Sequence, residues 1–121
     1  MSVINKKIIF FLLSIIYMVN SNANEHNCVI GSVVFNDILN CYIEEYKEYD
    51  QKLNKLYHQK ISCLATMRKN KLRNSQRIWI KLKEKTCIAD EENYGRESHF
   101  EAMICEIEMT RERIKYLENI K

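Results

Sequence analysis

The chain has 121 residues, with 19 Lys and Arg against 16 Asp and Glu, five cysteines, two glycines and no proline. At this length there is room for one modest core, which gains from covalent staples. The near-balanced charge gives no reason to expect a nucleic-acid partner, and so few glycines and prolines leave an all-β chain without its turns.

The first element is an export signal. Lys6 and Lys7 precede an apolar run over residues 8–19, and Ser21-Asn22-Ala23 places small residues at the −3 and −1 positions of a cut after Ala23. Those twelve residues are fewer than the roughly 20 that span a bilayer, so residues 1–23 read as a cleavable signal peptide and the mature form as not membrane-spanning. Removing 23 of 121 residues leaves 98, and the loss of two lysines leaves 17 bases against 16 acids, a net charge of +1. Periplasmic or fully secreted localisation follows.

Residues 24–35, with Gly31 and a Val-Val-Phe run, read as an irregular lead-in, and residues 36–121 as a helical domain. Three apolar stripes at helical spacing then follow in order. The first joins Leu39, Tyr42, Tyr46, Tyr49, Leu53 and Leu56, continued by Tyr57, Ile61 and Leu64. The second joins Leu72, Trp79 and Leu82 among many Lys and Arg, and the third joins Phe100, Met103, Ile107, Ile114 and Leu117. The break between the first two is expected at residues 66–70, with one continuous long helix as the alternative. Gly95 supplies a left-handed stop, and Ser98-His99-Phe100-Glu101 matches a capping box opening the third helix. The fold class is all-α, a small disulfide-stapled three-helix bundle or a helical hairpin plus a third helix.

Charge is distributed unevenly along these elements. Residues 25–50 hold six acids and one base, residues 51–85 eleven bases and one acid, and residues 86–120 nine acids and four bases. This predicts a basic helix laid against two acidic ones, with charge guiding the pairing.

All five cysteines lie after the signal, and an oxidising destination makes them disulfides. With the loop near Arg96 as the tip of a helical hairpin, Cys87 lies nine residues before it and Cys105 nine after it, so the two face each other. Cys28 with Cys41 then ties the lead-in to the first helix. Cys63 is left over and is expected as a small buried hydrophobe, with a bridge to a second copy, a homodimer, as the alternative.

No catalytic constellation is present: no His-Glu-x-x-His, no Gly-rich phosphate loop, no Gly-x-Ser-x-Gly. His26, His58 and His99 are dispersed, and a disulfide at Cys28 competes with any metal site there, so no cofactor or metal is expected and the chain does not read as an enzyme. Asp50 and Asn54 lie one turn apart beside the first stripe and read as structural, with Asp50 paired to a base on the second helix such as Arg77, Lys81 or Lys85. Gln76, Arg77 and Trp79 are read the same way, Trp79 as the largest core side chain. Thr110 and Arg113 read as anchors of the third helix.

Several of these residues form an ordered set: Asp50-x-x-Leu53-Asn54-x-x-Tyr57, then Leu72-x-x-Ser75-Gln76-Arg77-x-Trp79-Ile80 and Cys87, Tyr94-Gly95 and Ser98, Cys105 and Thr110-Arg111-Glu112-Arg113. In order and spacing, from Cys41 to Leu117, the set resembles the N-terminal domain of the lysozyme inhibitor LprI family. The resemblance implies a secreted or periplasmic helical domain and, by the family's name, lysozyme as protein partner. The sequence departs from the family pattern at Lys83-Glu84, where Arg-Asp is usual, at Ser75, where alanine is usual, and in the lengthened Gly95-Arg96-Glu97-Ser98 loop; Cys63 has no counterpart.

Lysozyme works with two carboxyl groups in an open cleft, and a rigid protruding loop suits such a cleft. The tip bearing Tyr94, Arg96, Glu97 and His99 is the expected binding loop, since Tyr and Arg are common interface anchors. The alternative is a structural or interaction module of the cell envelope with no enzyme target, pairing through Cys63 or the tyrosine-rich first helix.

Overall fold

A computed structural model describes residues 28–121. The signal-peptide segment, its cleavage point after Ala23, and His26 lie outside the described residues. The elements are α1 (Phe35–Cys63), α2 (Thr66–Thr86), a single turn α3 (Glu91–Tyr94) and α4 (Ser98–Glu118), with no strand among the described residues. Three long helices of an all-α fold are therefore present, preceded by an irregular stretch over residues 28–34.

Contacts fix the helix directions. Phe35 meets Phe100 at one end of α1, while at the other Lys60 Nζ donates to the backbone carbonyls of Glu118 and Ile120, so α1 and α4 run parallel. They form the closest-packed pair. α2 runs antiparallel to both: Cys87 meets Cys105, Gln76 meets Arg113, and Arg68 Nη1 donates to the Lys121 carbonyl. Lys60 and Arg68 thus place positive charge on the carbonyls that α4 leaves unsatisfied at its end.

The reversal between α1 and α2 takes only residues 64–65, both extended, rather than residues 66–70. No glycine or proline is needed, because Leu64 itself turns into the core and pins the corner. The core joins Leu53, Leu64, Leu72, Ile114 and Leu117, with Tyr49, Leu56, Tyr57, Ile61 and Trp79 packed around it. Leu117 is fully buried. Burial of each such side chain contributes about 1.5–3 kcal/mol.

Three local expectations are corrected. Leu82 is mostly exposed, and the inward face of α2 is Leu72, Gln76, Trp79 and Lys83, a polar stripe within an apolar period. Trp79 is only half-buried. Ser98 and Glu101 do not form a capping box: the Ser98 hydroxyl donates to the Gly95 carbonyl at 2.7 Å, and Glu97 holds the cap position with no side-chain hydrogen bond. The burial of Ser98 explains the difference, since a buried hydroxyl takes the nearest carbonyl.

Candidate functional site

The tip between α2 and α4 is built by local chemistry. Asp90 caps α3 by accepting from the Asn93 backbone N–H at 3.1 Å, and its carboxylate also holds the Asn93 amide. Gly95 ends the turn at φ +70°, a conformation that side-chain-bearing residues rarely adopt, and its N–H donates to the Glu91 carbonyl. Below the tip, Cys87 and Cys105 are joined with Cα atoms 5.4 Å apart, and the Cys87 sulfur lies 3.5 Å from that of Met109. His99 meets the Glu91 carboxylate, tying α3 to the first turn of α4.

Of the proposed binding side chains, Tyr94 is 72 % exposed, and the Arg96 and Glu97 side chains are exposed too. Arg96 lies with its guanidinium 4.6 Å from the Phe35 ring centroid and 3.8 Å from the Glu97 carboxylate. It links the tip to the start of α1, so the tip and the lead-in form one end of the bundle.

That end holds residues that sequence reasoning left unassigned. Cys28 and Cys41 are joined, their Cα atoms 4.4 Å apart, and the segment they tie down presents Ile30 at 95 % and Val33 at 92 % exposure, with Val29 and Val34 more than half exposed. Beneath it Phe100 packs against Phe35 and Tyr42. A small monomer gains nothing from a cluster of bare aliphatics, and such patches mark contact surfaces. The signal was present as a Val-Val-Phe run beside Gly31, but apolar runs of that kind are equally the mark of a core strand.

The interior of the bundle contains two buried cations. Lys83, 7 % exposed, bonds the Tyr46 hydroxyl, lies 3.6 Å from the Glu106 carboxylate and 5.5 Å from the Trp79 ring centroid. Burial pushes the Tyr46 hydroxyl above the ordinary tyrosine pKa of 10.0, while Lys83 opposes the shift. Arg113, 8 % exposed, donates through Nε to Gln76 Oε1 and through Nη2 to Ser75 Oγ, both at 2.9 Å. Its guanidinium lies 4.3 Å from the Tyr116 ring centroid and 5.8 Å from that of Trp79. Desolvation lowers its pKa, and Tyr116 and Tyr57 oppose that. Ser75, the departure from alanine, is thus occupied by Arg113. Thr110, fully buried, donates to the Glu106 carbonyl within α4.

The expected pairing of Asp50 with a base on the second helix is absent. Asp50 accepts from the Asn54 amide at 3.0 Å instead, and Arg77, Lys81 and Lys85 are exposed without an ion pair among the described residues. Lys83 with Glu106 is the interhelical ion pair that α2 forms. The other cations of α2 form no interhelical ion pair among the described residues, because the Leu72 register sets its inward face, so charge does not run along the helix contacts as expected. Asn54, Gln76 and Arg77 come together along one cleft between α1 and α2. Cys63 is exposed, not buried: it sits at the last position of α1, where the chain turns inward at Leu64.

Among the described residues no three His, Cys, Asp or Glu side chains are grouped to hold a metal, and no helix is long and apolar enough to cross a membrane. Neither the curated proteins nor the solved structures provide a match to this chain. A family profile described as lysozyme inhibitor LprI matches residues 33–117, which takes in the end of the lead-in, α1 to α3, α4 up to Leu117 and three of the four bridged cysteines. Because that match covers most of the chain, this chain belongs to the lysozyme inhibitor LprI family.

Proposed function

We propose that the mature protein is exported and binds lysozyme through the end of the bundle that carries the α3 tip and the lead-in, obstructing the enzyme's cleft. The observation that carries this reading is the tip itself. Tyr94 stands 72 % exposed on a single helical turn, held from below by the Cys87–Cys105 bridge and from the side by Arg96 on Phe35. A loop already fixed in shape loses little conformational freedom on binding, and an exposed tyrosine on a rigid support is a common anchor. The family's name supplies the class of partner.

The aliphatic lead-in widens that contact surface, and Glu91, Glu92 and Glu97 give the tip an acidic rim that favours approach to a basic enzyme. Arg96, already engaged with Phe35 and Glu97, acts as a brace more than as a reaching side chain. No catalytic role is assigned to the chain.

The test is the rate at which lysozyme clears a suspension of bacterial cell walls. Oxidised mature protein should slow clearance, and Tyr94→Ala should remove most of the effect while leaving the helical CD signal unchanged. Full inhibition by the Tyr94→Ala, Ile30→Ser double variant would move the contact elsewhere. A second reading, an envelope interaction module that pairs through Cys63, draws on the exposure of that thiol at the far end of α1. It predicts a covalent dimer on a non-reducing gel that is absent in Cys63→Ser.

A further inference from the structure

The cleft between α1 and α2 has a composition that the lysozyme reading does not use. It is an open groove of about 350 Å³ that takes Asn54, Tyr57 and His58 from α1 and Arg73, Gln76 and Arg77 from α2, with Ile80 at its edge. No carboxylate lines it. The acids nearest in sequence are Asp50, which accepts from the Asn54 amide, and Glu84, one turn beyond Ile80.

The hydrogen-bonding capacity facing this space is richer in donors than in acceptors. Gln76 is 7 % exposed, and its carbonyl oxygen is held by Arg113 Nε, which leaves the amide NH2 without a protein partner among the described residues. Arg113 therefore orients a buried amide so that its donors remain available. Arg77, His58 and the Tyr57 hydroxyl form no hydrogen bond or ion pair among the described residues, and Arg73 uses Nη1 alone, on Asn70. Two guanidinium groups, an imidazole, an amide and a phenol thus flank one groove, with Asn54 Oδ1 and the phenol oxygen among its acceptors.

Guanidinium groups with open N–H edges match the oxygens of phosphates and carboxylates. A bare anion uses donors only and has no need of Asn54 Oδ1, and it leaves the apolar faces of Tyr57 and Ile80 without contact. A saccharide ring supplies both a hydroxyl for that acceptor and C–H groups for those faces. We propose that the α1–α2 cleft is a binding site for a sugar that carries an oxyanion, phosphate or carboxylate, held by Arg73 and Arg77 and positioned by Gln76 and Asn54. It lies about 30 Å along α1 from Phe35, so it is separate from the tip and does not depend on lysozyme being the partner.

The experiment is amide chemical-shift mapping of the oxidised mature protein at physiological ionic strength, where diffuse surface attraction is screened. The probes are a hexose monophosphate, glucuronic acid, inorganic phosphate and glucose. Saturable shifts confined to residues 54–58 and 73–80 are expected with the first two, separating the phosphate from the carboxylate source, and weaker or absent shifts with phosphate and glucose. Arg77→Gln and Arg73→Gln, both at exposed positions, should each weaken binding at least about tenfold with the rest of the spectrum unchanged. Gln76→Leu disturbs Arg113, so its spectrum serves only to confirm that the amide reports on the cleft. Four results would overturn the proposal: no shifts with any probe, equal affinity for inorganic phosphate and the hexose phosphate, non-saturating shifts spread over Lys69, Lys81 and Lys85, or undiminished binding in Arg77→Gln.

Discussion

Replacing Cys87 and Cys105 together by alanine removes the bridge that spans 18 residues and encloses the tip. In the chain-entropy description, opening a loop of that length restores to the unfolded chain about 3 kcal/mol of conformational freedom. For a domain of this size each kcal/mol corresponds to about 4–8 °C in Tm, so the midpoint should fall by about 12–24 °C. Urea unfolding followed by far-ultraviolet CD measures the free energy directly. The Cys28–Cys41 bridge spans 13 residues and by the same relation contributes about 0.3 kcal/mol less, so its removal should cost nearly as much. The two variants part company in the lysozyme assay. At a temperature where both are fully folded, the loss of Cys87–Cys105 should weaken inhibition more, because it alone frees both flanks of Tyr94. A cost below about 1 kcal/mol would refute the loop-closure reasoning. Inhibition equal to that of the native protein would refute the claim that rigidity at the tip matters.

Further outcomes follow from the interior. Arg113→Ala removes two charge-assisted hydrogen bonds and two ring contacts and should destabilise by about 2–4 kcal/mol, after allowance for the relief of a buried charge; Arg113→Met with Gln76→Leu should recover most of this in urea titrations. Because the folded state holds the Tyr46 proton to higher pH than the unfolded chain does, the stability linked to it is present below the ordinary tyrosine value of 10.0 and is lost as pH rises through the folded value. Urea midpoints measured from about pH 9 to above pH 11 should therefore fall more steeply in the native protein than in Tyr46→Phe. Leu117→Ala, at a fully buried core position, should cost about 2–5 kcal/mol. A colorimetric thiol reagent should titrate one group in the native protein, since the two disulfides leave Cys63 alone and exposed, and none in Cys63→Ser.

The sequence by itself determined the class of fold, the helix order and the disulfide pairing. Those follow from local rules: stripes at helical spacing, a glycine bend, and cysteines equidistant from it, all of which depend on neighbours along the chain. It also carried enough ordered signature, from Asp50 to Arg113, to point to the family. The tertiary structure decided which side of each helix is inside. Leu82 and Lys83 sit next to each other, and hydrophobicity favours burying the leucine, yet the register set by Leu72 and Trp79 turns Lys83 inward to Tyr46 and Glu106. Asp50 illustrates the same limit, since it takes Asn54 one turn along its own helix and leaves Arg77 without an ion pair. Long-range placement also decided that the lead-in leaves Ile30 and Val33 bare, and that Asn54, Gln76 and Arg77 line one cleft instead of forming a sealed contact. Spacing along a helix states which residues share a face, and only packing against the other helices states what that face meets.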